Sequence, residues 1–437
     1  MKVVTRFPPS PTGYFHIGSA RTALFNYLFA AHEGGRMYLR FEDTDRERSK
    51  KEYEDDILEG LSWLEIPYAR SEIIRQSERT HIYRDYLRKL IDTKAAYEAE
   101  PTINDPGRKV IRFRNPNTTV PFNDLVRGEV TFDTTDLKDF VIAKNIDEPL
   151  YHLAVVIDDH EAGVTHVIRG EDHVSNTSRQ ILILEALGFA RPQYAHIPLI
   201  LAPDRSKLSK RHGAVSVNEY RAEGYLPQAL VNYLALLGWN PGTEKEIFTL
   251  DELVAEFRIG NVQKGGAIFD LEKLRWFNHE HLKRLTDAEF AKQLEALTGS
   301  AVNAALVPLL KERARTLKEA EELVTTGELS FLGDTLSYDP ALFLKGAKTD
   351  ARIALTHLAA IARMLEDVPG DDFNDIRIKD AIFPYATSEG RGAVLWPLRV
   401  ALSGREKSPD PFVIAALVGK ERTLRRIDIA RTMLENI

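Results

Sequence analysis

The chain contains no cysteine. That absence excludes disulfides, a thiolate nucleophile and cysteine-ligated zinc together. Any metal would have to be held by histidine or by oxygen ligands. No apolar run reaches the roughly 18 residues that a membrane-spanning helix requires. The amino-terminal MKVVTRFPPSPTG interleaves charges with prolines and lacks an apolar core, so it does not read as a secretory signal. A cytoplasmic protein without a membrane partner is the expectation. A net positive charge is also missing: 58 basic residues face 65 acidic ones, for a formal charge of −7. No global nucleic-acid signature follows, although a basic stripe on one face stays open. Internal repeats and low-complexity segments are absent.

What is present is an ordinary globular balance, 43% hydrophobic and 28% charged over 437 residues. That is enough apolar surface for packed cores, and the length suggests about three domains. Lys2 to Phe7 reads as a strand closed by PPSPTG. Ser19 is placed to cap a helix carrying Leu24, Phe25, Leu28 and Phe29, which Gly34-Gly35 ends. Met37, Leu39 and Phe41 alternate as a strand does. This βαβ order implies a parallel sheet. Two helical patterns follow, through Ile57, Leu58, Leu61 and Leu64, and through Ile82, Tyr83, Tyr86, Leu87 and Leu90. From about 100 to 147, short strands such as VIRFR and GEVTF are punctuated by proline, asparagine, aspartate and threonine, the texture of a β-rich insertion. The α/β pattern resumes in HLAVVID, VTHVIRG, a helix near Gln180 to Leu187, and HIPLILA. One sheet is thus split by an insertion and then completed. After about Ser216 the sequence is helical almost throughout, with breaks at proline and glycine. The carboxy-terminal third reads as an all-α module.

Two loops carry the chemistry. PPSPTGYFHIGSARTA joins a strand to a helix, and a helix amino terminus attracts anions through its free N–H groups and dipole. His16 at that edge can donate to a phosphate oxygen, and Gly18 lets a base or ribose approach the backbone. The loop matches neither a P-loop nor GxGxxG, so standard ATPase and dehydrogenase readings lack support. The second loop, DRSKLSKRHG, holds Arg205, Lys207, Lys210 and Arg211 after an apolar strand. Such a cluster suits a clamp on a polyphosphate, where catalysis is mainly electrostatic. Alone, the first loop reads more often as a satisfied turn histidine and the second as a solvated charged loop. Together they are far more specific, because both follow strands of one split sheet and can face one crevice.

FHIGS resembles the HIGH motif of class I aminoacyl-tRNA synthetases, and KLSKR resembles their KMSKS motif. More narrowly, RFPPSPTGYFHIGSARTALFNYLFA, LRFEDTDRERS, THVIRGEDHVSNT and KLSKRHGAVSV resemble bacterial glutamyl-tRNA synthetases, from Lys2 to about Phe277. Further on, TLKEAEEL and LVGKERTLRRI carry a weaker likeness. A glutaminyl enzyme would more typically read PEPNG at Pro9-Ser10-Pro11-Thr12-Gly13. The resemblance implies an α/β Rossmann-type catalytic core over 1–98 and 151–215, interrupted by a shortened, β-rich connective insertion over 99–150. A helical stem-contact domain over 216–290 and an all-α anticodon-binding region over 291–437 would follow. The implied reaction has two steps. Glutamate attacks the α-phosphorus of ATP, brought with Mg²⁺, to give glutamyl-adenylate and pyrophosphate. The terminal ribose 2′-OH of tRNA(Glu) then takes the acyl group and AMP leaves. In this family tRNA generally binds before productive adenylate formation, and monomers are usual.

The same resemblance assigns residues. His16 and Gly18 fall on the HIGH positions for ATP, Thr12 on a further ATP position, and Glu171 near the adenosine. Lys207 and Lys210 match the KMSKS lysines that hold pyrophosphate. Arg6 and Arg169 match the arginines that read the substrate's side-chain carboxylate, for which a guanidinium fork is suited. Ser10, Glu42 and Tyr151 match other amino-acid contacts, with Glu42 taking the ammonium. Asp45 and Arg48 fall near the tRNA acceptor strand. Arg313 falls where an arginine favours glutamate tRNA over glutamine tRNA, and arginine can donate twice to a base edge. Lys420, Arg422, Arg425 and Arg426 are spaced along a helix for phosphate contacts or as a solvated basic face.

Rival readings attach to several of these. Glu42, Asp43 and Asp45 could bind Mg²⁺ or form a solvated turn. His160, His166, His173 and His196 lack metal spacing and read as structural or surface residues, so neither zinc nor another resident metal is expected. Only PTINDPGRKV joins AAYEAE to VIRFR, which is shorter than is usual and bears on acceptor-end contacts. The alternatives are a non-discriminating enzyme that also charges tRNA(Gln) and a truncated paralogue that glutamylates a modified tRNA base. The long helical tail argues against the second. Small nucleotidyltransferases and noncatalytic RNA binders fit less well, the first for their length and the second because His16 and the lysines are intact.

Overall fold

The computed structural model describes residues 2–100, 109–206, 208, 216–299, 301–325, 329–332, 336, 338–345 and 350–436. Lys207, Lys210 and Arg211 lie outside the described residues, as does most of the short PTINDPGRKV connection. The chain forms two compact units, Met1–His281 and Leu282–Ile437.

The first unit begins with β1 (Val4–Phe7), α1 (Ile17–His32), β2 (Arg36–Phe41), α2 (Lys51–Trp63), β3 (Ile74–Arg75) and α3 (Thr80–Asp92). It continues with β4 (Ala96–Ala99), β5 (Val110–Phe113), β6 (Thr119–Asp124), β7 (Gly128–Asp133), β8 (Phe140–Asn145) and β9 (Glu148–Pro149). Then come α4 (Tyr151–Glu161), β10 (His166–Gly170), α5 (Val174–Leu187), β11 (Gln193–Ile197) and β12 (Ile200–Leu201). It closes with α6 (Val217–Ala222), α7 (Pro227–Leu236), α8 (Leu250–Glu256), β13 (Ala267–Ile268) and all but the last turn of α9 (Leu271–Arg284).

β1, β2 and β3 are parallel, with Arg6 opposite Tyr38. On the other side of β1 the Thr165 amide donates to the Val4 carbonyl at 2.9 Å, which brings β10 alongside. β10 and β11 pair in parallel along their whole length. The strand ends carrying Arg6 and Arg169 therefore lie side by side, where a doubly wound sheet places its ligand crevice. α1 packs on this sheet. It is almost unstriped because Ala20, Ala23, Leu24, Phe25 and Leu28 are buried nearly all round, between the sheet and α7 and α8.

The insertion divides in two. β4, β5, β8 and β9 form their own antiparallel sheet. The β6–β7 hairpin instead joins the core sheet: Tyr194 of β11 pairs with Asp124, and β6 pairs with β7 in antiparallel register. The strict alternation of burial in β6, with Val120, Phe122 and Asp124 inward, is that of a strand with one covered face.

Helix caps bring one correction. The cap of α1 is His16, not Ser19: the His16 Nδ1 accepts from the Gly18 and Ser19 amides at 3.1 and 3.3 Å.

The second unit is helical: α10 (Asp287–Thr298), α11 (Val307–Arg313), α12 (Leu317–Thr325), α13 (Leu342–Lys345), α14 (Ala351–Glu366), α15 (Asp375–Glu389), α16 (Arg391–Ser403), α17 (Pro411–Val418) and α18 (Lys420–Glu435). Two prolines, Pro384 and Pro397, run inside α15 and α16 rather than ending them. Burial of Ile378, Ile382, Val394 and Leu398 holds those helices together around the interruption. The four cations on α18 are not an open basic face. Lys420 donates to the Glu366 and Val368 carbonyls, Arg422 to that of Leu332 and the buried Arg426 to that of Leu402. Only Arg425 among them is exposed.

Candidate active site

The first loop is laced to the segment after β2. The Glu42 amide donates to the Pro9 carbonyl and that of Lys50 to the Pro11 carbonyl, both at 3.0 Å. The Ser10 carbonyl accepts from Thr12 N–H at 2.8 Å; Ser10 is exposed and Thr12 half-buried. Because the His16 Nδ1 lone pair is used by the cap, the ring proton sits on Nε2, 3.1 Å from Ser19 Oγ. The loop therefore adds a side-chain donor to a helix amino terminus. A Cβ on Gly18 would come within 3.1 Å of that ring, so the glycine makes room for His16 itself.

The second loop is held at both ends. At its entry Arg205 adopts a left-handed conformation (φ 66°), and the Leu208 amide donates to the Ile200 carbonyl at 3.1 Å. At its exit Ser216 bridges to His16, and the Val217 amide donates to the Phe15 carbonyl at 2.8 Å. Asp56 of α2 ties the first loop to α6, accepting from the Phe15 amide at 2.6 Å and from Asn218 Nδ2 at 2.7 Å. Gly60, one turn further on, has no Cβ because Phe15 occupies that space at 2.5 Å. His16 of the first motif loop and Ser216, which follows the second, thus meet although some 200 residues separate them.

Below them lies a buried charge network. Arg6, 1% exposed, donates from Nε to both Asp159 oxygens at 3.2 and 3.3 Å and from a terminal nitrogen to the Ile168 carbonyl at 3.3 Å. Arg40 bridges Asp159 and Glu42, the latter at 3.0 Å. Asp158 accepts from Gln76 at 2.8 Å, Arg79 at 2.7 Å and Tyr83 at 2.9 Å. Burial pushes the Asp159 carboxyl up, but the Arg40 and Arg6 charges outweigh it and hold the group below the ordinary aspartate range. For Glu42 the balance reverses. Burial outweighs Arg40, and the carboxyl stays above its ordinary value. A second cation at Glu42 would be stabilised there.

Arg169 differs from Arg6 in its partners, all of which are neutral. Its Nε donates to His196 Nε2 at 3.1 Å, and its terminal nitrogens to Gln180 Oε1 and Thr177 Oγ1, both at 2.8 Å. It is 5% exposed and forms no ion pair among the described residues. Burial lowers its pKa. A guanidinium so placed is suited to receive an anion. Tyr151 is the first residue of α4; burial and the Glu42 charge push its hydroxyl up against the opposing charges of Arg169 and Arg6, and the hydroxyl lies 3.3 Å from His173 Nδ1.

The remaining candidates are distributed. Glu171 follows β10, accepts from the Leu199 amide at 2.8 Å and pairs with Arg127 of the β6–β7 turn. Asp45 and Arg48 are exposed, with Asp45 accepting from the Arg48 amide at 3.3 Å. Asp43 accepts from the Ser77 amide and hydroxyl at 2.8 and 2.5 Å. Glu42, Asp43 and Asp45 therefore turn to three different partners and do not converge as a cation cradle. Arg313 ends α11 in the second unit and is exposed. Among the described residues no three or more histidines and carboxylates cluster as metal ligands, and no helix is long and apolar enough to cross a membrane.

Sequence reading missed Arg40, Asp159, Gln180, Thr177 and Asp56, and assigned His196 only a structural or surface place. One signal was available: a histidine inside the apolar strand HIPLILA needs a buried partner.

The family described as tRNA synthetases class I (E and Q), catalytic domain, matches residues 2–105 and 98–276, and an anticodon binding domain matches residues 271–431. The chain belongs to this class I tRNA synthetase family. Within it, the chain is 44% identical to glutamate–tRNA ligase 1 of Rubrobacter xylanophilus over 98% of both chains. It is 40% identical to glutamate–tRNA ligase of Carboxydothermus hydrogenoformans, over 97% of this chain and 99% of that one. A crystal structure of a glutamate tRNA ligase from Elizabethkingia meningosepticum in complex with its amino acid superposes with a TM-score of 0.86 at 33% identity, covering 99% of this chain and all of the other.

Proposed function

We propose that the chain ligates L-glutamate to the 3′-terminal adenosine of tRNA(Glu) through glutamyl-adenylate, releasing AMP and pyrophosphate. The observation that carries this reading is Arg169, a buried guanidinium with only neutral partners near the end of β10, on the same strand-end edge as Glu42, a carboxyl paired with Arg40. A substrate with a side-chain carboxylate and an ammonium complements both. Arg6, fixed by Asp159, completes the carboxylate receptor, and Tyr151 and Ser10 line the amino-acid site.

The substrate's α-carboxylate attacks the α-phosphorus of ATP and pyrophosphate leaves, so no side-chain nucleophile is required. Positioning and charge stabilisation carry the rate. His16 Nε2–H and the α1 amino terminus bind phosphate, Thr12 and Glu171 flank the nucleotide, and Lys207 and Lys210 neutralise the departing pyrophosphate. Mg²⁺ arrives with the ATP phosphates. Asp45 and Arg48 face the acceptor end. The insertion serves that end too, residues 216–290 contact the stem, and the helical region reads the anticodon with Arg313 selecting tRNA(Glu). The enzyme works as a cytoplasmic monomer.

Charging assays test the whole reading. Purified protein with ATP, Mg²⁺ and labelled glutamate is expected to acylate a glutamate tRNA transcript and not a glutamine one. Acylation of both would remove the role given to Arg313; acylation of neither would overturn the function.

His16 can be separated from its capping duty. His16→Asn keeps a cap acceptor but loses the Nε2 donor, so pyrophosphate exchange should fall about a hundredfold or more with melting unchanged. His16→Ala should in addition lose about 1 kcal/mol of stability. Wild-type exchange in the asparagine variant would strike His16 from the mechanism.

A further inference from the structure

Arg169 ends a chain of hydrogen bonds that starts in the insertion. Asp124, the last residue of β6, has a side chain with no solvent exposure. Its Oδ1 accepts from the Val126 and Arg127 amides at 3.0 and 2.9 Å, which shapes the β6–β7 turn. Its Oδ2 lies 2.6 Å from His196 Nδ1. The His196 ring is fully buried, stacks with Tyr194 and lies against Phe122. On its other side, His196 Nε2 is 3.1 Å from Arg169 Nε and 3.1 Å from Thr177 Oγ1.

Donor and acceptor roles follow from chemistry. An arginine Nε carries a hydrogen and cannot accept, so His196 Nε2 must present a lone pair. The ring proton then sits on Nδ1 and is donated to Asp124. A carboxylate beside one ring nitrogen thereby fixes the tautomer that the other nitrogen needs. Only this tautomer lets the guanidinium be anchored through Nε while its own charge stays uncompensated. An acid in the place of His196 would anchor Arg169 equally well but would neutralise the receptor.

We propose that His196 and Asp124 are positioning residues for the substrate carboxylate, with Asp124 setting the His196 tautomer and His196 holding the Arg169 fork without cancelling its charge. The proposal rests on Arg169 being the carboxylate receptor. It also makes the β6–β7 hairpin part of the amino-acid site through Asp124, while Arg127 of the same turn pairs with Glu171, the residue after β10.

Three near-isosteric variants test it through pyrophosphate exchange in the presence of tRNA. In Asp124→Asn the amide becomes a donor to Nδ1, the ring proton moves to Nε2, and two donors face each other at Arg169. The KM for glutamate should rise about tenfold, with the KM for ATP within about twofold of wild type. His196→Gln keeps an acceptor near the Nε2 position and should stay within about threefold of the wild-type glutamate KM. His196→Asn keeps only the group near Nδ1 and should behave like Asp124→Asn.

Equal effects of His196→Gln and His196→Asn would overturn the proposal, because a purely structural histidine would not distinguish them. So would an unchanged glutamate KM in Asp124→Asn, or a parallel rise in the KM for ATP. If His196→Asn does not fold, Asp124→Asn against His196→Gln makes the same distinction. Arg169→Gln is the control: an unchanged glutamate KM there would defeat the reading of the pocket itself, whereas a raised one with a wild-type Asp124→Asn would defeat only the relay.

Discussion

Replacing Arg169 with glutamine should lower kcat/KM for glutamate by at least about a hundredfold while leaving the melting temperature unchanged or higher. Removing one partner of a buried, hydrogen-bonded charge pair costs roughly 2–5 kcal/mol, or about 30-fold to several thousandfold. In the proposed function the partner left behind is the substrate's own carboxylate. Stability should move the other way because the free protein already bears an uncompensated cation. Arg169 is 5% exposed, and its hydrogen bonds run to His196, Gln180 and Thr177, none of them charged to match it. A neutral amide, which ends near the arginine Nε position, removes that desolvated charge. Steady-state exchange kinetics and a thermal melt on the same preparation check both directions. Loss of activity with a large fall in melting temperature would mean that Arg169 is a structural residue. A second sign should accompany the first: added glutamate stabilises the wild type by mass action but not the variant.

Asp159→Asn should have the opposite profile, a large loss of stability. Asp159 is the shared counter-ion of Arg6 and Arg40, both about 1% exposed. Withdrawing the charge leaves two buried guanidinium groups competing for Glu42 and Asp158. Breaking such a pair typically costs 3–5 kcal/mol, so melting should fall by about 10 °C, given a few degrees per kcal/mol for units of this size. Glutamate activation should also suffer, since Arg6 loses its Nε anchor. The pH dependence follows from the sign of the shift. The folded-state carboxyl of Asp159 is held below its ordinary value, so its stabilising contribution is full above about pH 4 and is lost as pH falls toward the lower folded-state value. The wild type should therefore lose stability more steeply than the variant below about pH 4. Equal acid sensitivity of the two proteins would contradict this account, as would a wild-type melting temperature in Asp159→Asn.

Much of this arrangement was legible in the chain because motif residues sit where strands end. Arg6 closes β1 and Arg169 nears the end of β10, and the parallel order of βαβ units places such ends on one edge. The helices were legible for the same reason that they fold: Ile57, Leu61 and Leu64 in α2, and Tyr83, Leu87 and Leu90 in α3, recur at helical spacing and are buried. What was not legible is contact between charges far apart in sequence. Nothing local in HLAVVIDD says that Asp159 serves two arginines 153 and 119 residues away. Asp56 looks like any acid on an amphipathic helix until Phe15 and Asn218 arrive beside it. The cap of α1 was misplaced because a serine is the commoner cap, and only the backbone path shows His16 taking that part. The cations of α18 had the spacing of a basic face, yet three of them satisfy carbonyls at neighbouring segments.

The β6–β7 hairpin has a consequence for how this architecture can change over evolutionary time. Its first strand closes the edge of β11: the Leu125 amide donates to the Tyr194 carbonyl at 2.8 Å, and Asp124 caps the His196 amide. Excising the whole insertion would leave that edge open, and an uncovered strand edge recruits other chains. The antiparallel sheet formed by β4, β5, β8 and β9 carries no such duty toward β11. Length can therefore be gained or lost between β4 and β5 without opening the core sheet. The insertion is modular on one side and grafted on the other, and its tolerance to change is set by the grafted half.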